Sequence, residues 1–213
     1  NGKWYYFDKN GIMLDNTIFD GYILTSSGAM VDSGWGKVKD KWYYAKPSGK
    51  ISQQKWEKVG GVWYYFDKDG IMLSNTIFNG YLFSNSGAMA ENSWVKHDGK
   101  SYYALSSGKA AQQKWEKIAG SWYYFNKDGS MANNQWQGNY YLKANGVMAE
   151  KEWIFDKNYN SWFYLKSSGT YAAREWIGSY YLKSGGYMAK SEWIDDSYYN
   201  ARYYLDENGV YVT

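Results

Sequence analysis

The amino-acid sequence predicts an all-β protein built as a solenoid of stacked β-hairpins. Three observations carry this prediction: an aromatic-rich composition, a short internal repeat, and a glycine at a fixed place in each repeat. The 213 residues include 13 Trp, 25 Tyr and 8 Phe. Because aromatic side chains bury large areas and favour strands, these rings replace the scarce aliphatic residues in the interior of an ordered β protein.

The chain repeats itself on two scales. Segments that begin at Trp4, Trp63 and Trp122 open with Trp-Tyr-Tyr-Phe and reach a glycine seven residues after the Trp, which defines a unit of 59 residues. Such self-similarity is typical of repeat architectures. A finer period is marked by a Trp or by an Ile that replaces it, at residues 18, 35, 56, 77, 94, 115, 136, 153, 176 and 193.

Each fine repeat is interpreted as one β-hairpin. Ring positions alternate along strands of about four or five residues, and the fixed glycine supplies the positive φ that a turn requires. An isolated hairpin cannot bury both faces, so each must stack on its neighbours. With Pro47 as the single proline and no linker-like stretch, we expect residues 1–213 to form one module of ten or eleven hairpins.

Composition excludes several classes of function. The chain has no Cys, so neither disulfides nor thiolate metal sites are possible. Lys and Arg number 24 against 21 Asp and Glu, which gives no basic stripe for a nucleic acid. No run of residues approaches the ~18 apolar positions of a membrane span. The first repeat is entered midway at Trp4, as expected of a mature or trimmed chain.

Candidate chemical motifs have simpler interpretations. Asp-Lys-Asp-Gly at residues 67–70 lacks the remaining ligands of a calcium loop and is interpreted as a turn. His97 lies in a polar turn. Glu152, Glu175 and Glu192 recur once per repeat, whereas an active site needs one unique constellation. We therefore expect no catalytic residues, no metal and no cofactor.

Residues 35–49 contain two Trp seven residues apart, a Tyr pair, and a glycine five residues after the second Tyr. This stretch resembles the choline-binding repeat of pneumococcal and phage cell-wall proteins, and residues 56–72 and 115–131 match that pattern more closely. The resemblance covers essentially the whole chain. It implies a left-handed superhelix of hairpins on a secreted protein of the bacterial cell surface. Its implied partner is the choline or phosphocholine of teichoic acids, bound without a covalent bond.

The resemblance also implies cages between consecutive repeats, each with two Trp from one hairpin and the second Tyr and a Met from the next. Electron-rich rings within ~6 Å suit a trimethylammonium group, which donates no hydrogen bond. Two sets match at every position: Trp35, Trp42, Tyr65 and Met72; and Trp115, Trp122, Tyr141 and Met148. A third set, Trp153, Trp162, Tyr181 and Met188, has the same residue types, but its two Trp are nine residues apart instead of seven.

Other interfaces depart from this pattern. Leu82 stands where the Tyr opposite Trp56 and Trp63 is expected, and Ser101 replaces the second Trp after Trp94. The short hairpins, which begin at residues 18, 77, 136 and 176 and are followed by the next marker after only 17 residues in each case, lack the second Trp altogether. Since the loss of one ring removes much of the affinity, we expect weaker choline binding at Trp56, Trp63, Met89, Trp94, Tyr124, Met131, Trp136, Tyr164, Trp176 and Tyr204.

Two alternatives stay open. Each ring is also a candidate for the solenoid core, above all the first Tyr of each pair, such as Tyr43, Tyr64 and Tyr123, and the recurrent Met residues also suit gap filling. The second alternative is a carbohydrate-binding array like those of glucan-binding enzymes, which stack sugars on similar rings. Paired Trp seven residues apart, together with Met, favour choline.

Overall fold

The computed structural model describes residues 2–212, which form ten antiparallel β-hairpins. The prediction of an all-β stack of hairpins is confirmed. Residues 2–212 include no helix that could cross a lipid bilayer. In chain order, hairpins 1 to 10 are Thr17–Phe19 and Tyr22–Leu24 (β1, β2), Gly34–Val38 and Lys41–Ala45 (β3, β4), Lys55–Val59 and Val62–Phe66 (β5, β6), Thr76–Phe78 and Tyr81–Phe83 (β7, β8), Ser93–His97 and Lys100–Ala104 (β9, β10), Lys114–Ile118 and Ser121–Phe125 (β11, β12), Gln135–Gln137 and Tyr140–Leu142 (β13, β14), Glu152–Asp156 and Ser161–Leu165 (β15, β16), Glu175–Ile177 and Tyr180–Leu182 (β17, β18), and Glu192–Asp196 and Ala201–Leu205 (β19, β20). A last strand, Tyr211–Val212 (β21), pairs with β20.

Two strand lengths alternate irregularly along the chain. Hairpins 1, 4, 7 and 9 have strands of three residues, and hairpins 2, 3, 5, 6, 8 and 10 have strands of five. After the second strand of each hairpin, a turn that contains a glycine brings the chain back alongside the end of that strand. In hairpin 2, for example, Gly49 has a φ of +80° and Ala45 forms a β-bridge with Ile51. The turn therefore requires a left-handed backbone conformation, which glycine adopts without strain.

Strand alternation gives every hairpin two distinct faces. In hairpin 2, Trp35 lies opposite Tyr44, and both share one face with Trp42. We call the face that bears the first Trp the forward face, because it contacts the following hairpin: Trp35 lies 4.8 Å from Tyr64 between ring centroids. The opposite face, here called the backward face, bears Tyr43.

The chain divides into two compact units, Asn1–Ala111 with hairpins 1–5 and Gln112–Thr213 with hairpins 6–10. Within each unit, backbone hydrogen bonds join consecutive hairpins. The Met72 amide donates to the Trp42 carbonyl at 2.9 Å in the first unit, and the Tyr171 amide donates to the Asn139 carbonyl at 3.1 Å in the second. The organisation of the whole chain as one module stays a prediction.

The hydrophobic core consists of small clusters between neighbouring hairpins. In the first unit, one cluster contains Ile23, Val38 and Tyr43, and another contains Leu82 and Tyr102. In the second unit, the clusters are Ala132, Leu142 and Met148, and Ala189, Ile194 and Leu205. Each hairpin therefore depends on its neighbours for burial, as expected of a solenoid.

Candidate functional site

The clearest candidate site lies between hairpins 6 and 7. Trp115 on β11 and Trp122 on β12 form two walls, and Tyr140 on β14 and Met148 complete a cavity of about 370 Å³. The rings of Trp115 and Tyr140 meet edge to face, with centroids 5.3 Å apart. The cavity is within the usual size range of small-molecule sites.

The same arrangement recurs at three further interfaces. Trp56, Trp63, Tyr81 and Met89 line about 300 Å³, and Trp153, Trp162, Tyr180 and Met188 line about 380 Å³. Between hairpins 2 and 3, the Trp35 ring is perpendicular to Trp42 at 6.3 Å and lies 4.8 Å from Tyr64. We call these four interfaces the open sites and name each after its first Trp.

Register explains why the two Trp of an open site form a corner. The inner Trp is opposite the second Tyr of its own hairpin, whereas the outer Trp lies two residue pairs nearer the hairpin tip and therefore on the same face. The outer rings are exposed, from 37% at Trp122 to 44% at Trp42. Each open site therefore has one supported ring and one ring at its rim.

Methionine forms the floor of an open site and fixes it to the adjacent hairpin. The Met148 amide donates to the carbonyl of Trp122 at 2.9 Å, and its side chain is 7% exposed. The turn glycine of hairpin 8 leaves the room for this side chain, because a Cβ on Gly169 would overlap Met148 Cε. Ser168 of the same turn also lines the cavity, so three successive hairpins build the site.

The predicted tyrosines require a correction. Tyr65, Tyr141 and Tyr181 do not face the Trp pairs of the preceding hairpins. Each is instead the cross-strand partner of a residue in its own hairpin, at 5.3 Å from Trp56, 5.1 Å from Trp136 and 5.1 Å from Trp176. The reason is strand alternation: the second Tyr shares the forward face with the first Trp, so the first Tyr meets the preceding hairpin.

The same correction changes the interpretation of the Trp56 site. Leu82 is fully buried on the forward face of hairpin 4, whereas Tyr81 faces Trp56 at 4.9 Å. The Trp56 site thus has two Trp, one Tyr and one Met at the same positions as the Trp115 site. The expected core role of the first Tyr agrees with Tyr43, which is 8% exposed, but Tyr64 is a wall of the Trp35 site.

Interfaces that follow hairpins 7 and 9 are filled by protein. Trp136 donates its Nε1 hydrogen to Asp156 at 2.7 Å and packs on Phe163 at 4.9 Å. Trp176 similarly donates to Asp196 at 2.6 Å. Tyr171 occupies the position that Met holds in an open site and lies 5.9 Å from Trp136. We call these interfaces the closed interfaces, together with those after hairpins 1 and 4, where Ile18 and Ile77 pack into the core clusters.

Two electrostatic effects accompany the closed interface between hairpins 9 and 10. The hydrogen bond from Trp176 lowers the pKa of Asp196, and the backbone amides of Tyr198 and Tyr199 act in the same direction. Burial raises the pKa of Tyr181, and the negative charge of Asp196 adds to this effect. The acid is therefore favoured as an anion and the phenol as a neutral group.

The remaining predicted rings lie elsewhere. Tyr164 and Tyr204 are cross-strand partners of Trp153 and Trp193, at 5.3 and 5.2 Å, so they do not face Trp136 and Trp176 as predicted. Trp94 pairs with Tyr103 at 5.3 Å in the first unit. In the second unit, Tyr124 pairs with Trp115 at 5.4 Å, and Met131 forms a bridge with Phe125. The set around Trp94 stays a prediction.

One cavity was not predicted from the sequence. A cleft of about 330 Å³ near the N terminus is lined by Trp4, Tyr22, Met30 and Ser48, with further rings from residues 5, 6 and 19. These four residues hold the positions of Trp122, Tyr140, Met148 and Ser168 in the Trp115 site. The signal was present in the sequence, because Trp4 opens the same Trp-Tyr-Tyr-Phe motif as Trp63 and Trp122.

The recurrent glutamates are held in ion pairs. Lys143 Nζ lies 2.8 Å from Glu152, Lys166 Nζ 3.0 Å from Glu175, and Lys183 Nζ 2.9 Å from Glu192. Each pair joins the end of one hairpin to the start of the next. This arrangement gives the three carboxylates a repeated structural role between neighbours.

Comparison with repeat-family models covers most of the chain. Residues 130–171 and 170–211 match one model described as a choline-binding repeat, and residues 53–94 match a second model with the same description. A cell wall binding repeat matches residues 1–13, 33–51, 92–110 and 113–131. The comparison with curated protein sequences returned no match.

Two solved structures are similar to this chain. The modular autolysin LytC from Streptococcus pneumoniae is 38% identical over 85% of this chain, with a TM-score of 0.72. The match spans 42% of the LytC chain. The choline-binding domain of CbpL from the same organism is 35% identical over 100% of this chain and 94% of its own, with a TM-score of 0.49.

Proposed function

Because the chain belongs to the choline-binding repeat family, we propose that its open sites bind choline residues of teichoic or lipoteichoic acid and so hold the protein on the bacterial cell wall without a covalent bond. One observation carries this proposal. The Trp115 site places two Trp, a Tyr and a Met around a cavity of about 370 Å³.

The chemistry of the site suits a quaternary ammonium group. Its methyl groups carry the positive charge but donate no strong hydrogen bond, so ring faces within ~6 Å are effective partners, with about 0.5–2 kcal/mol for each contact. The Met thioether adds a polarizable apolar floor. The residues that line the three Trp-pair cavities include no carboxylate, so the rings supply the attraction for the cation.

Several weak sites on one chain favour attachment to a polymer. A cage of this kind holds free choline at about millimolar concentration, which corresponds to about −4 kcal/mol. Sites that engage residues along the same teichoic acid gain 10²- to 10⁴-fold through effective concentration, as an order-of-magnitude estimate. The proposal includes secretion to the cell surface and a role as a binding module rather than as an enzyme.

The test is a titration followed by NMR of ¹³C-labelled Met methyl groups. Met72, Met89, Met148 and Met188 each report one open site. Choline should shift all four methyl resonances and raise the melting temperature, since ligand at 100 times its Kd adds about 2.7 kcal/mol per site. Sodium chloride at the same concentration is the control.

Glucose oligomers provide the second arm of this experiment. If they shift the same methyl groups while choline leaves them unchanged, the choline proposal is wrong and the carbohydrate-binding alternative takes its place. An equal rise in melting temperature with choline and with sodium chloride would likewise exclude specific cages.

A further inference from the structure

The four open sites differ at one position that the cage itself does not use. This position is the cross-strand partner of the outer Trp, two residues after the inner Trp. Register places its side chain on the forward face, beside both rings. The residues at this position are Lys37, Lys58, Lys117 and Phe155.

Two of these lysines extend over the rim of their sites. Lys58 Nζ lies 5.6 Å from the ring centroid of Trp63, and Lys117 Nζ lies 5.8 Å from that of Trp122. In the Trp153 site, the Phe155 ring packs on Trp162 with centroids 5.3 Å apart. The outer Trp is therefore covered by a cation at two sites and by a neutral ring at a third.

The glutamates adjacent in sequence to Lys58 and Lys117 pair with other lysines. Glu57 lies on the backward face of hairpin 3 and pairs with Lys55 at 3.0 Å. Glu116 likewise forms an ion pair with Lys114, at 2.5 Å. The fourth wall of each cavity is a neutral serine, Ser107 in the Trp56 site and Ser168 in the Trp115 site.

Lys37 is an intermediate case. Its Nζ lies 2.9 Å from Asp40 near the tip of hairpin 2, and both side chains are largely exposed. Exposed pairs of this kind are weak and compete with other partners. The Trp35 site therefore has a lysine at the same position, but one that is partly engaged.

A lysine beside a cation-binding cage is unfavourable for a bare quaternary ammonium, because like charges repel across a partly exposed site. The same lysine is favourable when the ligand carries a phosphate close to its ammonium group, since an ammonium side chain pairs well with phosphate oxygens. We propose that Lys58 and Lys117 make their sites selective for a phosphate ester of choline, whereas the Phe155 site recognises the trimethylammonium group alone. This inference rests on the proposed function.

The experiment compares free choline with phosphocholine on the full chain, with the methyl groups of Met89, Met148 and Met188 as site-specific reporters. Phosphocholine should bind about fivefold more tightly than choline at the Met89 and Met148 sites, the range of one exposed charge contact, and equally at the Met188 site. This preference should decrease as salt rises to 1 M.

Substitutions at this single position make the test reciprocal. Lys58→Phe should remove the preference at the Met89 site, Lys58→Arg should retain it, and Phe155→Lys should create it at the Met188 site. Lys68→Gln is the matched control, because this exposed turn lysine pairs with Asp69 and lies outside the cages. Removal of its charge should leave all three preferences unchanged.

The outcomes separate this inference from the proposed function. One outcome is that choline shifts every methyl group while the preference for phosphocholine is the same at all sites or survives Lys58→Phe. In that case the proposal for the lysines is wrong, and the proposal of choline binding stands. If neither ligand shifts any Met methyl group, the proposed function itself fails.

Discussion

Open sites and closed interfaces use the same backbone connection but differ in what fills the space beside it. The Met148 amide joins hairpin 7 to the Trp122 carbonyl, and the Tyr171 amide joins hairpin 8 to the Asn139 carbonyl. In the first case the space is a cavity of about 370 Å³. In the second, Tyr171, Phe163 and the carboxylate of Asp156 pack against Trp136.

Strand length accounts for this difference. In hairpins 2, 3, 6 and 8, the five-residue second strand is long enough to carry an outer Trp at the position that accepts the backbone hydrogen bond, and this ring forms the rim of the site. A three-residue strand has Gly21, Gly80, Asn139 or Ser179 at the equivalent position, so the rim is missing. A ring of the same type is therefore a binding element at Trp115 and a core element at Trp136.

The largest expected effect contrasts these two classes of Trp. Trp136→Ala should lower the free energy of unfolding by about 3 kcal/mol, because it leaves a cavity and removes the donor to Asp156. Trp122→Ala, at an exposed rim, should lower it by less than about 1 kcal/mol yet abolish the choline response of Met148. Chemical denaturation and methyl NMR measure the two effects. Equal stability losses for both variants would contradict the division into classes.

A second prediction concerns the floor of an open site. Gly169→Ala should destabilise the protein by about 2–3 kcal/mol, since it adds left-handed strain to an overlap with Met148. Gly120→Ala is the control, because Gly120 has a φ of +86° and no atom lies within 4 Å of the place that a Cβ would take, so strain alone should cost about 1 kcal/mol. Denaturant titration gives both values. If the two losses agree, packing against Met148 is not important.

An open site should also be convertible into a closed one. Met188→Tyr copies the residue found at position 171 and should fill the cavity of the Trp153 site. We expect loss of the choline contribution of that site, with a change in stability within about 1.5 kcal/mol. Calorimetric titration should show one binding event fewer than in the unmodified chain. Met13→Tyr, outside the four open sites, should retain the full number.

The smallest expected effect is a pH dependence at the closed interface of hairpins 9 and 10. Because the pKa of Asp196 is lowered from 3.8, its contribution to stability is present above pH 3.8 and is lost as the pH falls through the lowered value. Unfolding curves between pH 2 and pH 6 should show this loss for the unmodified chain. Asp196→Asn should flatten it, whereas Asp195→Asn, in an exposed pair with Arg202, should not.

Local sequence patterns were sufficient to predict the hairpins. Period-2 alternation and a glycine at a fixed offset act within about twenty residues, and the structure has ten hairpins at the expected places. The structure places Trp115, Trp122 and Met148 around one cavity, and Trp153, Trp162 and Met188 around another. Their assignment to choline binding stays a proposal. Strand alternation also predicts which Tyr of each pair faces the preceding hairpin, because residues opposite each other in a hairpin share a face.

Contacts between hairpins were harder to predict. The hydrogen bond from Trp136 to Asp156 joins residues 20 positions apart, and nothing in hairpin 7 alone indicates that an acid will fill its forward face. The contact of Met148 with Gly169 depends in addition on how the next hairpin stacks. Such contacts follow from the stacking register, which period-2 patterns within single strands do not encode.

The amide-to-carbonyl bond between hairpins has a consequence for how such a protein diversifies. It uses main-chain atoms, so it is retained whether Met, Tyr, Ile or Ala donates, as Met72, Tyr171, Ile51 and Ala110 all do. Substitutions at the rim and at the floor can therefore switch a ligand position on or off without disturbing the spacing of the stack. The number of ligands that one chain holds is free to drift, while the scaffold that carries them is inherited unchanged.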